Sequence, residues 1–161
     1  MENSTQIEKI EHFLYQVVLE ELEKLQQAGL TYVPFVIMGQ TVEVLGGFLD
    51  QKPMKARGQS ARRFAAGVKY LFGGRYRALN ENNFLYDKLR NQMTHAFIPS
   101  RSLILLPGKK EGWEHLQLQG GQLVLIAEVF YQDIRQACER LIALLKSGRV
   151  KPKMIAFEDE E

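Results

Sequence analysis

Apolar residues fall on a helical stripe through the first part of the chain. Ile7, Ile10, Leu14, Val17, Val18, Leu22 and Leu25 recur at i, i+3, i+4 and i+7, with Glu21 as the one polar interruption. Residues 5–28 therefore read as one long amphipathic helix, stopped by Gly29. Thr31 to Leu49 reads as a second helix, with Thr31 at the cap and Pro34 in the first turn, where no backbone N–H is needed. The Gly46-Gly47 pair near its end points to close packing or fraying rather than to a ligand. A polar loop follows over residues 50–59. Ser60 then caps a third helix to about Phe72, with Phe64, Val68, Leu71 and Phe72 on its apolar side and Gly73-Gly74 at its end. Asn82 or Asn83 caps a further helix to about Phe97, beyond which Pro99 blocks extension.

The period then shortens. Ser102 to Leu106, Trp113 to Leu118 and Gln122 to Leu125 have strand-like composition and are separated by Gly- and Pro-bearing turns. They read as a small antiparallel meander, whose last piece has the alternative of opening the final helix. From Ala127 to Lys146 the helical stripe returns through Phe130, Tyr131, Ile134, Ala137, Cys138, Leu141 and Leu145, and Ser147-Gly148 ends it. The expected fold is mainly α: a bundle of about five helices with a β-meander at about 101–126 inserted before the last helix. One domain spans 1–148. A tail over 149–161 is basic and then acidic, with its last few residues expected to be mobile.

Composition changes this picture little. Of 161 residues, 45% are hydrophobic and 25% charged, which suits a globular domain with a real core. A net charge of +2 does not demand a nucleic-acid partner, so any basic footprint has to come from local clustering. The single cysteine, Cys138, rules out an internal disulfide and a Cys-based zinc site, and reads as a small apolar helix residue. It also makes a cytoplasmic location the natural expectation. The charged N-terminus is unlike a signal peptide, and no apolar run is long enough to cross a membrane.

Charge is clustered in one place. Lys52, Lys55, Arg57, Arg62, Arg63, Lys69, Arg75 and Arg77 lie in a segment, 52–77, without a single acidic residue. It is the best candidate footprint for a phosphate backbone, Lys52, Lys55, Arg57, Arg62 and Arg63 above all, and is equally what a solvated loop and helix face looks like. Tyr70, Tyr76 and Tyr86 read as half-buried core before stacking platforms. His12, His95 and His115 are too scattered for a metal motif, and His115, beside Trp113 and Glu114, reads as a strand surface residue. No cofactor is indicated.

The concentrated chemistry is Tyr86-Asp87-Lys88-Leu89-Arg90-Asn91-Gln92-Met93-Thr94-His95. Arginine forks onto phosphate oxygens and histidine moves protons near neutral pH. On an ideal helix positions 90 and 95 lie about 140° apart, so the long Arg90 has to swing toward the His95 side. The plainer explanation is a C-terminal helix histidine beside an arginine paired with Asp87 or Glu81.

Arg90, Asn91 and His95 resemble the Arg–polar–three residues–His signature of the HEPN superfamily (higher eukaryotes and prokaryotes nucleotide-binding domains), over residues 1–147. The resemblance implies a homodimer in which two motif helices share one cleft, and metal-independent RNA cleavage by the ribose 2′-hydroxyl to give a 2′,3′-cyclic phosphate. It gives His95 the role of general acid or base, Arg90 that of stabilising phosphate charge, and Asn91 that of orienting Arg90 or the scissile nucleotide. It also includes members that hold RNA or a nucleotide without cutting it, and members that bind a protein partner such as an antitoxin nucleotidyltransferase.

Overall fold

The N-terminal stripe forms one continuous helical rod in the computed structural model, which describes residues 1–155. Helix α1 (Glu2–His12) passes through a π-helical stretch, Phe13–Leu19, into α2 (Glu20–Gln27). The buried positions are Ile10, Leu14, Leu19 and Leu22, so the inward-facing step lengthens from four residues to five and then shortens to three. A five-residue step is what a π-turn produces. It turns Val17 out to solvent, at 43% exposed, in favour of Leu19, and leaves the expected intruder Glu21 outside.

Helix α3 (Val33–Gly47) starts with Pro34 in its first turn, as expected, with Tyr32 rather than Thr31 at the cap position. It is buried on several sides, from Phe35 to Gly47, because it packs on α2, on the helices that follow it and on the last helix. Its tightest partner is α4 (Ser60–Leu71), which begins with Gln59 at the cap position. The crossing is made through Gly46 and Gly67. A Cβ on Gly46 would sit 1.7 Å from the Arg63 carbonyl oxygen, and one on Gly67 2.5 Å from that of Val42. The Gly46-Gly47 pair is thus a packing device.

A short helix that the polar sequence did not announce, α5 (Gly74–Leu79), follows with only Tyr76 buried. The chain turns at Glu81–Asn83, where Asn82 and Asn83 take left-handed conformations that asparagine tolerates. The next helix covers 84–96, is π-helical over Tyr86–Asn91, and closes as α6 (Gln92–Ala96) before Phe97 turns left-handed. Its first turn is capped from further back than expected. The Asn80 side chain, not Asn82 or Asn83, accepts the Tyr86 N–H at 2.9 Å.

The small sheet before the last helix is present, with a topology that corrects the expected meander. Strand β1 (Leu103–Leu106) pairs in parallel with β3 (Gln122–Ile126), and β2 (Leu118–Gln119) adds antiparallel to the other edge of β3, giving the order β1-β3-β2. Trp113–Gln117 does not continue as strand because Leu116 adopts φ 68°, which breaks the extended run. Helix α7 (Ala127–Lys146) then buries every residue of the expected stripe, Cys138 included.

Beyond α7 the chain folds back on the bundle, where Val150 and Ile155 pack against the core. The acidic end, and with it the expected mobility of the last few residues, lies outside the described residues. Among the described residues no helix is long and apolar enough to cross a membrane.

Candidate functional site

Helix α3 receives two arginines from two neighbours. Arg90, from the motif helix, meets Glu43; Arg63, from α4, meets Asp50 just past the end of α3. Close approach at the first contact depends on Gly39, where a Cβ would lie 3.3 Å from Arg90 Cα. The Arg90 partner is therefore on a different helix, not Asp87 or Glu81. Arg90 Nε lies 2.9 Å from Glu43 Oε1, and Nη2 donates to Oε2 at 3.3 Å. The Nε–H is not aligned on its oxygen, so the pair is held by charge and by the Nη2 bond. Both side chains are mostly buried, at 14% and 19% exposed.

His95 is exposed and makes no hydrogen bond or ion pair among the described residues, with Arg90 or with any other. Asn91 is half-buried without a described partner, and the neighbouring Thr94 hydroxyl is buried and unpaired. Past the motif, Phe97 and Ile98 stand 61% and 62% exposed, and the Phe97 ring lies 5.2 Å from that of Tyr32. The motif helix thus delivers His95 to the N-terminal end of α3, with an apolar surface beside it.

The basic segment sits at the opposite end. Fifteen residues of α3 separate the two, about 22 Å at helical rise. Lys52, Lys55, Arg57 and Arg62 are exposed there, Lys52 Nζ lying 3.0 Å from Gln59 Oε1. Arg63 is buried and faces inward. Its Nε donates to Asp50 Oδ2 at 2.8 Å, and its other nitrogens donate to Asp50 Oδ1 and to the carbonyls of Met54 and Pro53. Lys153 joins from beyond α7. Its Nζ donates to Asp50 Oδ1 at 2.6 Å and to the carbonyls of Gly47 and Lys52. Burial alone would push the Asp50 carboxyl up, but the hydrogen bonds from Arg63, Lys153 and the Lys52 N–H hold it well below the ordinary carboxylate range. Arg63 thus ties the 50–59 loop together, and the outward charge of the segment is carried by its neighbours. Further along, Lys69 lies against the Tyr70 ring at 5.0 Å; Tyr70 is exposed rather than half-buried, Tyr76 is fully packed, and Tyr86 is partly buried as expected.

His115 corrects the sequence reading. It lies in the loop before β2, with a side chain only 6% exposed. Its Nδ1 accepts the Ile126 N–H at 2.9 Å, which leaves the proton on Nε2, 2.7 Å from the Tyr76 hydroxyl. Tyr76 in turn donates to Asp133 Oδ2 at 2.5 Å. Burial, aided by Arg75, lowers the His115 pKa to about 4, so the ring is neutral near pH 7. Among the described residues no group of His, Cys, Asp and Glu side chains could hold a metal ion. No protein-family model matches this chain, and neither the curated proteins nor the solved structures contain a match to it.

Proposed function

We propose that this protein is a cytoplasmic, HEPN-like, metal-independent endoribonuclease that works as a homodimer. The observation that carries the reading is the contrast within one motif. Arg90 is held in a fixed, mostly buried pose by Glu43, while His95, five residues on, is exposed and unpaired. A histidine with no intramolecular partner is open to a hydrogen bond from or to a substrate, and a pinned arginine is preorganised for a phosphate oxygen. The π-helical stretch that bears Arg90 adds weight, since such stretches recur at functional sites. In this reading two copies meet over the motif helices with Phe97 and Ile98 at the seam. The 2′-hydroxyl loses its proton to one His95 and attacks phosphorus, and the 5′-oxygen leaves with a proton from the other. Lys52, Lys55, Arg57 and Arg62 hold the RNA backbone further along.

A second reading has its own observation. Glu43 neutralises Arg90, as suits a cleft that binds RNA, a nucleotide or a protein partner such as an antitoxin without cutting. One experiment separates the two: incubation of a mixed-sequence labelled RNA in chelator with wild type and with His95→Ala. The exposed position of His95 makes that variant neutral for folding. Cleavage leaving cyclic-phosphate ends, lost in the variant, is the expected result. Intact RNA with the wild type overturns the nuclease reading.

A further inference from the structure

A cavity of about 360 Å³ opens between the Gly73-Gly74 turn, the loop carrying His115 and the outer side of α7. It belongs neither to the motif nor to the basic segment. Its floor is the hydrogen-bonded chain from His115 through Tyr76 to Asp133, with Phe72 packed edge-on against Tyr76. Two arginines stand at its rim. Arg75 uses Nη2 on the Leu116 carbonyl at 3.1 Å, and Arg140 uses Nη1 on the Leu71 carbonyl at 2.5 Å. Each is thereby tethered by one nitrogen, and the remaining donors of both guanidinium groups have no described partner.

The charge balance in the cavity is positive. Arg75 and Arg140 face one carboxylate, Asp133, and the neutral His115 adds nothing. Asp133 is itself half committed: Oδ2 takes the Tyr76 proton, while Oδ1 has no described partner and the side chain stays 31% exposed. Val129, Asp133, Gln136 and Arg140 line one wall at i, i+4, i+7 and i+11, a single stripe on α7 beside the buried one. From Asp133 to Arg140 that stripe runs about 10 Å. It offers an acceptor at one end, an amide in the middle and a forked cation at the other.

We infer that this cavity is a binding site for a phosphorylated sugar, a sugar phosphate or a mononucleotide, with Arg75 and Arg140 on the phosphate and Asp133 Oδ1 on a sugar hydroxyl. Two arginines on facing elements suit a phosphomonoester dianion, which each can meet with a fork of donors. A carboxylate held at Oδ2 by Tyr76 leaves Oδ1 to accept from a hydroxyl donor. The volume lies at the small end of ligand cavities, which excludes an oligonucleotide.

Titration calorimetry tests this with ribose 5-phosphate, adenosine monophosphate and inorganic phosphate as separate probes. Wild type is expected to bind at least one of the two phosphorylated sugars in a saturable way, and more tightly than inorganic phosphate. Which of the two binds tighter tells a bare sugar phosphate from a nucleotide. Arg140→Gln and Arg75→Gln should each weaken that binding about tenfold or more. Asp133→Ala, which removes the acceptor, should reduce the advantage over inorganic phosphate, and His95→Ala should leave this binding as in the wild type, which keeps the result apart from the ribonuclease reading. Because Arg140 also holds the end of α4, the wild type is followed in parallel by the histidine ring signals in NMR. Saturable shifts at His115 support the site. No saturable binding of either phosphorylated sugar, binding kept in both arginine variants, or shifts confined to His95 and His12 overturn it.

Discussion

Glu43 and Arg90 face each other across the closest approach of α3 and the motif helix, made possible by the missing side chain of Gly39. The pair fixes where the guanidinium points through charge and the Nη2 bond, while the Nε–H has no aligned acceptor. Glu43→Gln keeps an acceptor for Nη2 and removes the competing charge. RNA binding measured by fluorescence anisotropy should tighten a few-fold, by about 1 kcal/mol, in that variant. Unchanged affinity would mean that Arg90 does not meet RNA. Arg90→Ala is a poorer probe, because it leaves a mostly buried carboxylate unpaired and should lower stability by about 3 kcal/mol in urea unfolding.

The α3–α4 crossing makes a sharper stability prediction. Gly46→Ala puts a methyl group onto the Arg63 carbonyl, and backbone cannot move aside as a flexible side chain can. The variant should lose about 3 kcal/mol or more despite the better helix propensity of alanine, whereas Gly73→Ala, with open space around its Cβ position, should change little. Thermal melts of the two variants check the contrast.

Asp50 gathers two cations, so its loss leaves Arg63 and Lys153 buried without a counter-charge. Asp50→Ala should cost about 3 kcal/mol or more. Lys153→Met, which keeps the aliphatic stem, should cost less, because Arg63 still satisfies the carboxylate. Equal losses in denaturant titrations would contradict this ranking.

Acid should find His115. Unfolded, a histidine titrates near 6.5; folded, this one titrates near 4. Between those values the unfolded chain binds more protons than the folded one, so stability falls as pH drops through this window, by up to roughly 3 kcal/mol. His115→Gln should flatten the pH dependence of the melting temperature between pH 6.5 and 4. An unaltered slope would place the acid sensitivity elsewhere.

Leu19 and Val17 test the π-helical register. A regular stripe makes Val17 a core residue and ignores Leu19; the structure reverses them. Leu19→Ala should cost about 3 kcal/mol and Val17→Ala well under 1 kcal/mol.

Where local pattern and packing agree, the fold was legible. Every residue of the α7 stripe is buried, Ile142 being the one addition, and Pro34 marks the first turn of α3. Legibility failed where tertiary contacts decide. The π-turn shifts the core register without any special residue to announce it. The polar run around Tyr76 becomes α5 because its one buried ring has Phe72, Phe130 and His115 to pack on. The parallel pairing of β1 with β3 needs a crossover that short strand-like runs do not reveal. At the candidate site, the motif was readable because Arg90 and His95 are close in the chain. Glu43, 47 residues before Arg90, was not, and neither was the inward turn of Arg63. His115 looked like surface because its partners, Tyr76 and Asp133, come from opposite directions along the sequence.

The Asp50 cluster also orders the events of folding. Arg63 reaches Asp50 across 13 residues, within one helix–loop–helix unit, whereas Lys153 reaches it across 103. The first contact can form as soon as α3 and α4 dock; the second has to wait until α7 has closed over them. A contact closed across 103 residues belongs to the late part of folding, so Lys153→Met should speed unfolding and leave the folding rate nearly unchanged in stopped-flow measurements. Lys153 is in that sense a latch on the closed bundle, holding the segment beyond α7 to the end of α3.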